Sequence, residues 1–523
     1  MKKSTAKRML AGTLCGTMLL SSLAGCSSST SGSTSDSGSA SSTASETTTT
    51  ADLSEHVDLT MYLIGDPTED FDVMWEEANK WFNENLNCTV NVQWLSWSEH
   101  DQKYSLLFSG NEDFDLIFTG INWAHYDEIA PLGGFYPLTE DFVAAYGPRL
   151  LDNVPENGWE QAMYGGVPYM VPQNYMEIKK DCVAIRGDLM EQYGFDSIDN
   201  LQDLYDFYLA CGENGMHASQ VSYFDHWYWS KGWNTVNGSP NTYLFYYGAY
   251  DPEDMSLYYI MDDPDFMSFC SDIKSLADAG AWTADSLSST AERQEGLLNG
   301  TNAAMNWNVG SCIIYADQAN AAHPEWNVSL IDPTPDVKAG VTVATNSGMA
   351  IHAGSKNPER AMMVIEALYC DEYLQQLTRL GIEGVHWEAV GDNQYKLLKD
   401  TLGVDTYCDW GWRNDNVMRV EYVPEEEQTA AYKEGKALEA GWKENLREDH
   451  VFDGFTFDTS NVATQCAAVN TVYSTYFEPM AFYGQVSDLD AYMNEFKQAL
   501  EDAGIRDIQA EIQRQMDEFV ASK

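Results

Sequence analysis

Val57-Asp58-Leu59-Thr60-Met61-Tyr62-Leu63-Ile64, followed by Gly65-Asp66-Pro67, is a short apolar run that ends in turn residues. It reads as a buried strand. Phe71, Met74, Trp75, Ala78, Trp81 and Phe82 then recur at helical spacing, and Val90, Val92 and Trp94 alternate as a second strand. Tyr104, Leu107 and Phe108 suggest another helix before Phe114–Thr119 (FDLIFT), a third strand. Strand, helix, strand, helix, strand is the order of a parallel α/β sheet. Ligands of such sheets sit beyond the C-terminal strand ends, here Gly65-Asp66, Leu95–Trp97 and Gly120–Trp123.

Outward from this unit the chain reaches 523 residues, enough for two domains with separate cores. Tyr223–Trp233 (YFDHWYWSKGW) holds three Trp and two Tyr, and Ser256–Asp263 is a second aromatic run. At the C-terminus, Tyr492, Phe496 and Leu500 share one helical face that Gly504 closes. Ile505, Ile508, Ile512, Met516 and Phe519 share the next.

Before residue 57 the pattern changes. Lys2, Lys3, Lys7 and Arg8 precede a short apolar stretch, Met9–Leu23, with the layout of a secretory signal and too short to span a bilayer. It ends in Leu23-Ala24-Gly25-Cys26, which resembles the lipobox of bacterial lipoproteins. That resemblance implies cleavage after residue 25 and a diacylglyceryl thioether on Cys26. Of the 24 residues 27–50, only Asp36 and Glu46 are not Ser, Thr, Gly or Ala, so 26–54 reads as a flexible tether.

Acids outnumber bases 81 to 29, for a net charge of −52. Nucleic acid is a poor partner for such a chain, and adhesion to anionic lipid is disfavoured. Acidic ligands are repelled at long range, which favours a neutral or cationic one. Eight cysteines lie between residues 88 and 466 with no CxxC pair. Their spacing specifies no disulfides, and they read mostly as small buried hydrophobes. The nine His show no HxH, HxxH or HxxxH spacing, and no EF-hand ladder, HExxH, GxSxG, GxGxxG or Walker loop occurs. No metal, cofactor or nucleophile is indicated. With this many acids, paired carboxylates carry no information, and the sequence reads as a binder rather than a catalyst.

Several segments resemble the family 1 extracellular solute-binding proteins, the maltodextrin-binding-like receptors of bacterial ABC importers. They are Gly134–Thr139 (GFYPLT), Tyr164–Pro172 (YGGVPYMVP), Leu298–Met305 (LNGTNAAM) and Ser355–Ala361 (SKNPERA). Val167 departs from the polar residue common in the second motif. Ala503–Phe519 resembles the tail of the larger LipO-like lipoproteins of this group. The resemblance implies a two-lobed, periplasmic-binding-protein-like α/β fold with hinge-crossing segments near 176–183, 326–333 and 366–371. Residues 55–175 plus 333–367 would form one lobe, and 182–326 plus 371–523 the other. Closure would be a hinge motion.

The same resemblance implies an oligosaccharide ligand held in the cleft, delivery to ABC permease subunits, and a monomer attached to the outer face of the cell membrane only through its lipid. A sugar site needs aromatics against C–H faces and compact polar groups for hydroxyls. Candidates are Asp66 after the first strand, Asn122 and Trp123 (in a Trp-Ala-His run) after the third, and Tyr169 before the first crossing. Trp307 and Asn308 follow the Ala-Ala-Met motif. Trp227 and Trp229 alternate, one toward the cleft and one toward the core. Glu383, Trp387, Trp410, Trp412 and Arg413 complete the set. His386 reads better as a hydrogen-bonded loop residue. Two other readings remain open: a receptor of the same fold for a peptide or another small solute, and a secreted carbohydrate-active enzyme.

Overall fold

The computed structural model describes residues 52–522 except 111, 176, 241–242, 249–250, 252, 284, 289–292 and 399–408. The signal segment, Cys26, most of the tether and Cys408 lie outside the described residues.

The opening unit folds as its periodicity dictates. Strand β1 (Val57–Ile64), helix α1 (Phe71–Leu86), β2 (Cys88–Leu95), α2 (His100–Ser109) and β3 (Leu116–Thr119) follow in order. β1 pairs parallel with β2 from Val57↔Cys88 to Ile64↔Leu95, and with β3 at Met61↔Leu116. α1 buries Phe71, Met74, Trp75, Ala78, Phe82 and Leu86 on the sheet, the Phe, Met and Leu side chains each contributing roughly 1.5–3 kcal/mol of hydrophobic stabilisation. Trp81 stays half-buried at the edge of that stripe. Asn87 ends the helix in the left-handed region at φ 46°.

Two later strands join this sheet antiparallel: β8 (Gly348–Ile351) beside β3, then β4 (Val171–Pro172). The second sheet has β5 (Cys182–Arg186) between β6 (Ala304–Trp307) and β7 (Val328–Ile331), all antiparallel. β5 is buried throughout, because alternate residues enter different cores. Val183 and Ile185 join the large aromatic core. Cys182 and Ala184 join a smaller one with helix α3 (Val309–Ala322) and Trp442.

The described cysteines are free thiols, all but half-buried Cys370 fully buried. The C-terminal helices Leu489–Asp502 and Ile505–Ser522 meet at Gly504 (φ 90°) and pack Phe496, Leu500, Ile508, Ile512 and Met516 into the large core. No described helix is long and apolar enough to cross a membrane.

The crossings differ in part from expectation. The first includes Ile178–Lys179, which pairs antiparallel with Gly340–Val341 of the second. The second therefore starts after β7, later than residue 326. The third does not fall at 366–371. Tyr369, Leu374, Leu377 and Trp412 all pack into the first core, and Ala431 and Trp442 are the next residues to enter a second-lobe core. Side-chain clamps hold this stretch: Gln375 donates to the carbonyl of Leu368, and Asn414 to those of Tyr369 and of the Asn153 side chain.

Candidate functional site

The strand ends of the first sheet carry an aromatic wall. Trp97, just past β2, stacks on Trp123 past β3 (centroids 6.0 Å apart, 25° between planes) and meets Trp410 at 5.4 Å. Trp97 is 44% exposed. The wall is fixed from behind. Trp123 Nε1 donates to the carbonyl of Asn346 at 2.7 Å. Gly120 makes that approach possible, since a Cβ there would lie 2.1 Å from the same carbonyl oxygen. Gly65 sits beside the Trp97 ring with φ 125°, a backbone conformation that favours glycine. Beneath, His125 engages Glu128 at 3.0 Å.

A charged strip continues from this wall along the first crossing segment. The Arg413 guanidinium lies 5.9 Å from the Trp410 ring centre and 5.3 Å from that of Tyr175. Arg413 is aimed by Asp409, whose carboxylate it meets at 2.9 and 3.2 Å. Burial opposes the charge on Asp409, but Arg413 and Arg379 outweigh it and hold the carboxyl below its ordinary pKa. Strand alternation puts Glu177, Lys179 and Asp181 on one side of the crossing. Burial raises Glu177, with Arg413 pulling it back. Burial and then Asp225 push Asp181 up to about 7, against Arg293. The Arg293 guanidinium lies 5.3 Å from the centre of Trp307, which stacks on Tyr315 at 6.1 Å. Asp181, Asp225, His226 and Arg293 share a small cavity with Phe482 and Tyr483. A tryptophan wall on one lobe, a charged crossing segment and an aromatic–arginine pair on the other supply the kinds of groups that suit hydroxyl-rich rings.

The predicted site residues divide. Trp123, Trp410 and Arg413 meet in the wall, and Trp307 stands at the far end of the strip. Asp66 is exposed next to Gly65, and Asn122 is exposed at φ 66°. Tyr169 is half-buried on the first core, its amide donating to the Tyr126 hydroxyl. Asn308 caps α3, accepting from the amide of Ser311. Trp412 is a core residue, 0% exposed, with Nε1 on the Thr378 hydroxyl. Trp227 is likewise core, stacked on Phe269 at 4.5 Å. It shares a helix with Trp229, so the expected strand-like alternation does not apply. Half-buried Trp229 lies under the Lys179 ammonium at 4.1 Å. Trp387 is buried beside Leu380 and Tyr395, with Glu383 exposed near it in a separate depression. His386 is hydrogen-bonded, as expected, to Ile382 N and Asp70.

Trp97, Tyr175, Lys179, Asp181 and Arg293 escaped the sequence-derived set. Trp97 carries a legible signal, its position directly after β2. The others gain meaning only when the crossing segments meet.

This arrangement defines a two-lobed binding protein with its candidate ligand surface where the lobes join. Comparison with known proteins agrees. The sequence profile of the bacterial extracellular solute-binding proteins matches residues 65–373, more than half of the chain, and the protein belongs to that family. A C-terminal domain of unknown function (DUF3502) matches residues 451–521. The chain is 23% identical over 507 residues to a carbohydrate ABC transporter substrate-binding protein of Streptococcus pneumoniae, covering 90% of this chain and 93% of that one. Its fold is similar to the N-glycan transport solute-binding protein NgtS of S. pneumoniae, solved in complex with Man1GlcNAc (TM-score 0.66, 19% identity, 89% of this chain and 100% of that one). It is also similar to the alginate-binding protein AlgQ2 (TM-score 0.68, 15% identity, 89% and 99%).

Proposed function

We propose that the protein captures an oligosaccharide between its lobes and presents it to the permease of an ABC importer, leaving the ligand chemically unchanged. The stacked Trp97–Trp123–Trp410 wall carries this reading. Indole faces fixed from behind, with one ring 44% exposed, suit the apolar faces of pyranose rings. Arg413, Glu177 and Asp181 supply directional partners for hydroxyls. The carbohydrate-binding relatives support the ligand class. Lipidation at Cys26 would hold a monomer at the outer face of the cell membrane, with residues 27–54 as tether. Binding across the crossing segments would favour a closed arrangement of the lobes.

A thermal-shift screen with neutral and charged oligosaccharides, peptides and amino acids tests this. Ligand at 100 times its Kd adds about 2.7 kcal/mol, and one glycan class should raise Tm. Shifts only with peptides or amino acids would refute the carbohydrate reading.

A further inference from the structure

Two consecutive lysines of the first crossing segment meet opposite surroundings. Lys180 is buried and satisfied: its Nζ lies 2.7 Å from the Asp332 carboxylate and donates to the Thr334 carbonyl at 2.7 Å. Lys179 has no such partner. Its ammonium lies 4.1 Å from the centre of the Trp229 ring and donates only to the Thr235 hydroxyl, at 3.3 Å. Among the described residues no carboxylate lies within ion-pair distance of it. Asp225 acts on it from farther away and accepts from the Tyr243 hydroxyl at 2.6 Å.

Lys179 and Lys180 line a cavity between the crossing segments and the second lobe, together with Trp229, Trp233, Lys338, Arg447 and His450. The cavity's acids are engaged or outside. Asp453 accepts from Arg447 at 2.7 and 3.1 Å and from the amide of His450. Glu448 lies 3.7 Å from Lys338, and Asp251 is exposed. Trp233 is held face to face with Tyr246 at 4.0 Å. In a chain with 29 basic and 81 acidic residues, the four basic side chains Lys179, Lys180, Lys338 and Arg447 around one cavity oppose the overall composition, and Lys179 alone among them has no carboxylate partner. Burial and then the Arg447 charge lower Lys179 to about 8, the direction expected of an ammonium without a close counter-charge.

We propose that this cavity is a subsite for an acidic sugar residue, a ring bearing a carboxylate or a sulfate ester that pairs with the Lys179 ammonium where Trp229 holds it at the cavity wall. The proposal rests on the carbohydrate reading above and narrows it. The net charge of −52 does not oppose it. Long-range repulsion is screened within about 8 Å at physiological salt, whereas a desolvated contact responds to the groups that touch it.

The test is calorimetric titration of the full chain with a uronate-containing oligosaccharide, its carboxyl-reduced neutral counterpart and a sulfated counterpart, each at low and high NaCl. At least one acidic form should bind tenfold or more tighter than the neutral one, and its advantage should shrink with salt. The carboxylate and sulfate arms separate the two sources of charge. Lys179→Met should reduce the acidic-to-neutral ratio about tenfold, and Lys179→Arg should keep most of it, with melting curves reporting that both variants fold. Equal or weaker binding of both acidic forms, or a ratio that Lys179→Met leaves intact, would overturn the acidic subsite alone. Absence of binding by every glycan, neutral ones included, would overturn the carbohydrate reading and the subsite together.

Discussion

The two walls of the candidate cleft are built on different principles. On the first lobe, Trp97 and Trp123 follow parallel strands directly; Trp123 is locked by the Asn346 carbonyl that Gly120 lets come close, and Trp97 stacks on it. Facing the second lobe, Lys179 and Asp181 of the first crossing segment meet Asp225 and Arg293 from distant parts of the chain, and their charges are incompletely matched. On the proposed reading, the rigid aromatic face would supply affinity for any sugar ring, while the unmatched charges would choose among rings. The difference separates how tightly from what.

The sharpest way to break this comparison sets tryptophan against tryptophan. Trp412→Ala removes a fully buried ring and its hydrogen bond to Thr378, and should cost about 3–5 kcal/mol in urea unfolding. Next comes Asp409→Asn, which leaves Arg379 and Arg413 without their shared carboxylate. It should lose about 3 kcal/mol and loosen the Arg413–Trp410 contact, read as weaker glycan binding in calorimetry. Third, Trp97→Ala should leave unfolding nearly unchanged yet weaken glycan binding about 10- to 100-fold, or about 1.4–2.8 kcal/mol.

A further effect is a pH slope. Asp181 titrates near its ordinary 3.8 when unfolded and near about 7 when folded. Between those values the folded state holds the extra proton, so this group's contribution to stability is full below pH 4 and lost as pH rises through 7. Asp181→Asn should remove that slope. The difference between variant and parent in denaturant midpoint should grow from pH 4 to 7 and flatten above. A constant difference across this range would place Asp181 in a solvated environment.

The opening βαβαβ unit was legible because its period switches between 2 and 3.6 with each element, and the sheet register follows. The C-terminal helices were legible for the same reason, down to Gly504 between them. The third crossing was not. The helix Glu372–Leu380 and Trp412 are held on the first core by Gln375 and Asn414, polar contacts that hydrophobic periodicity does not encode. Site aromatics were separable only in part. Trp410 and Trp412 sit two residues apart in one loop, yet one joins the wall and the other the core. That choice is set by packing against α1 through the helix Glu372–Leu380, which no local pattern announces. The charged strip was invisible because Lys179 and Lys180 look alike in sequence and diverge only once Asp332 arrives beside one of them.

The central claim is that the Trp97–Trp123–Trp410 wall binds carbohydrate. Its most direct test is titration calorimetry of the parent protein and Trp97→Ala against the glycan that gives the largest thermal shift. The account predicts a saturable isotherm for the parent and a Kd at least tenfold weaker for the variant, with equal unfolding midpoints. Identical affinities for the two proteins would contradict it.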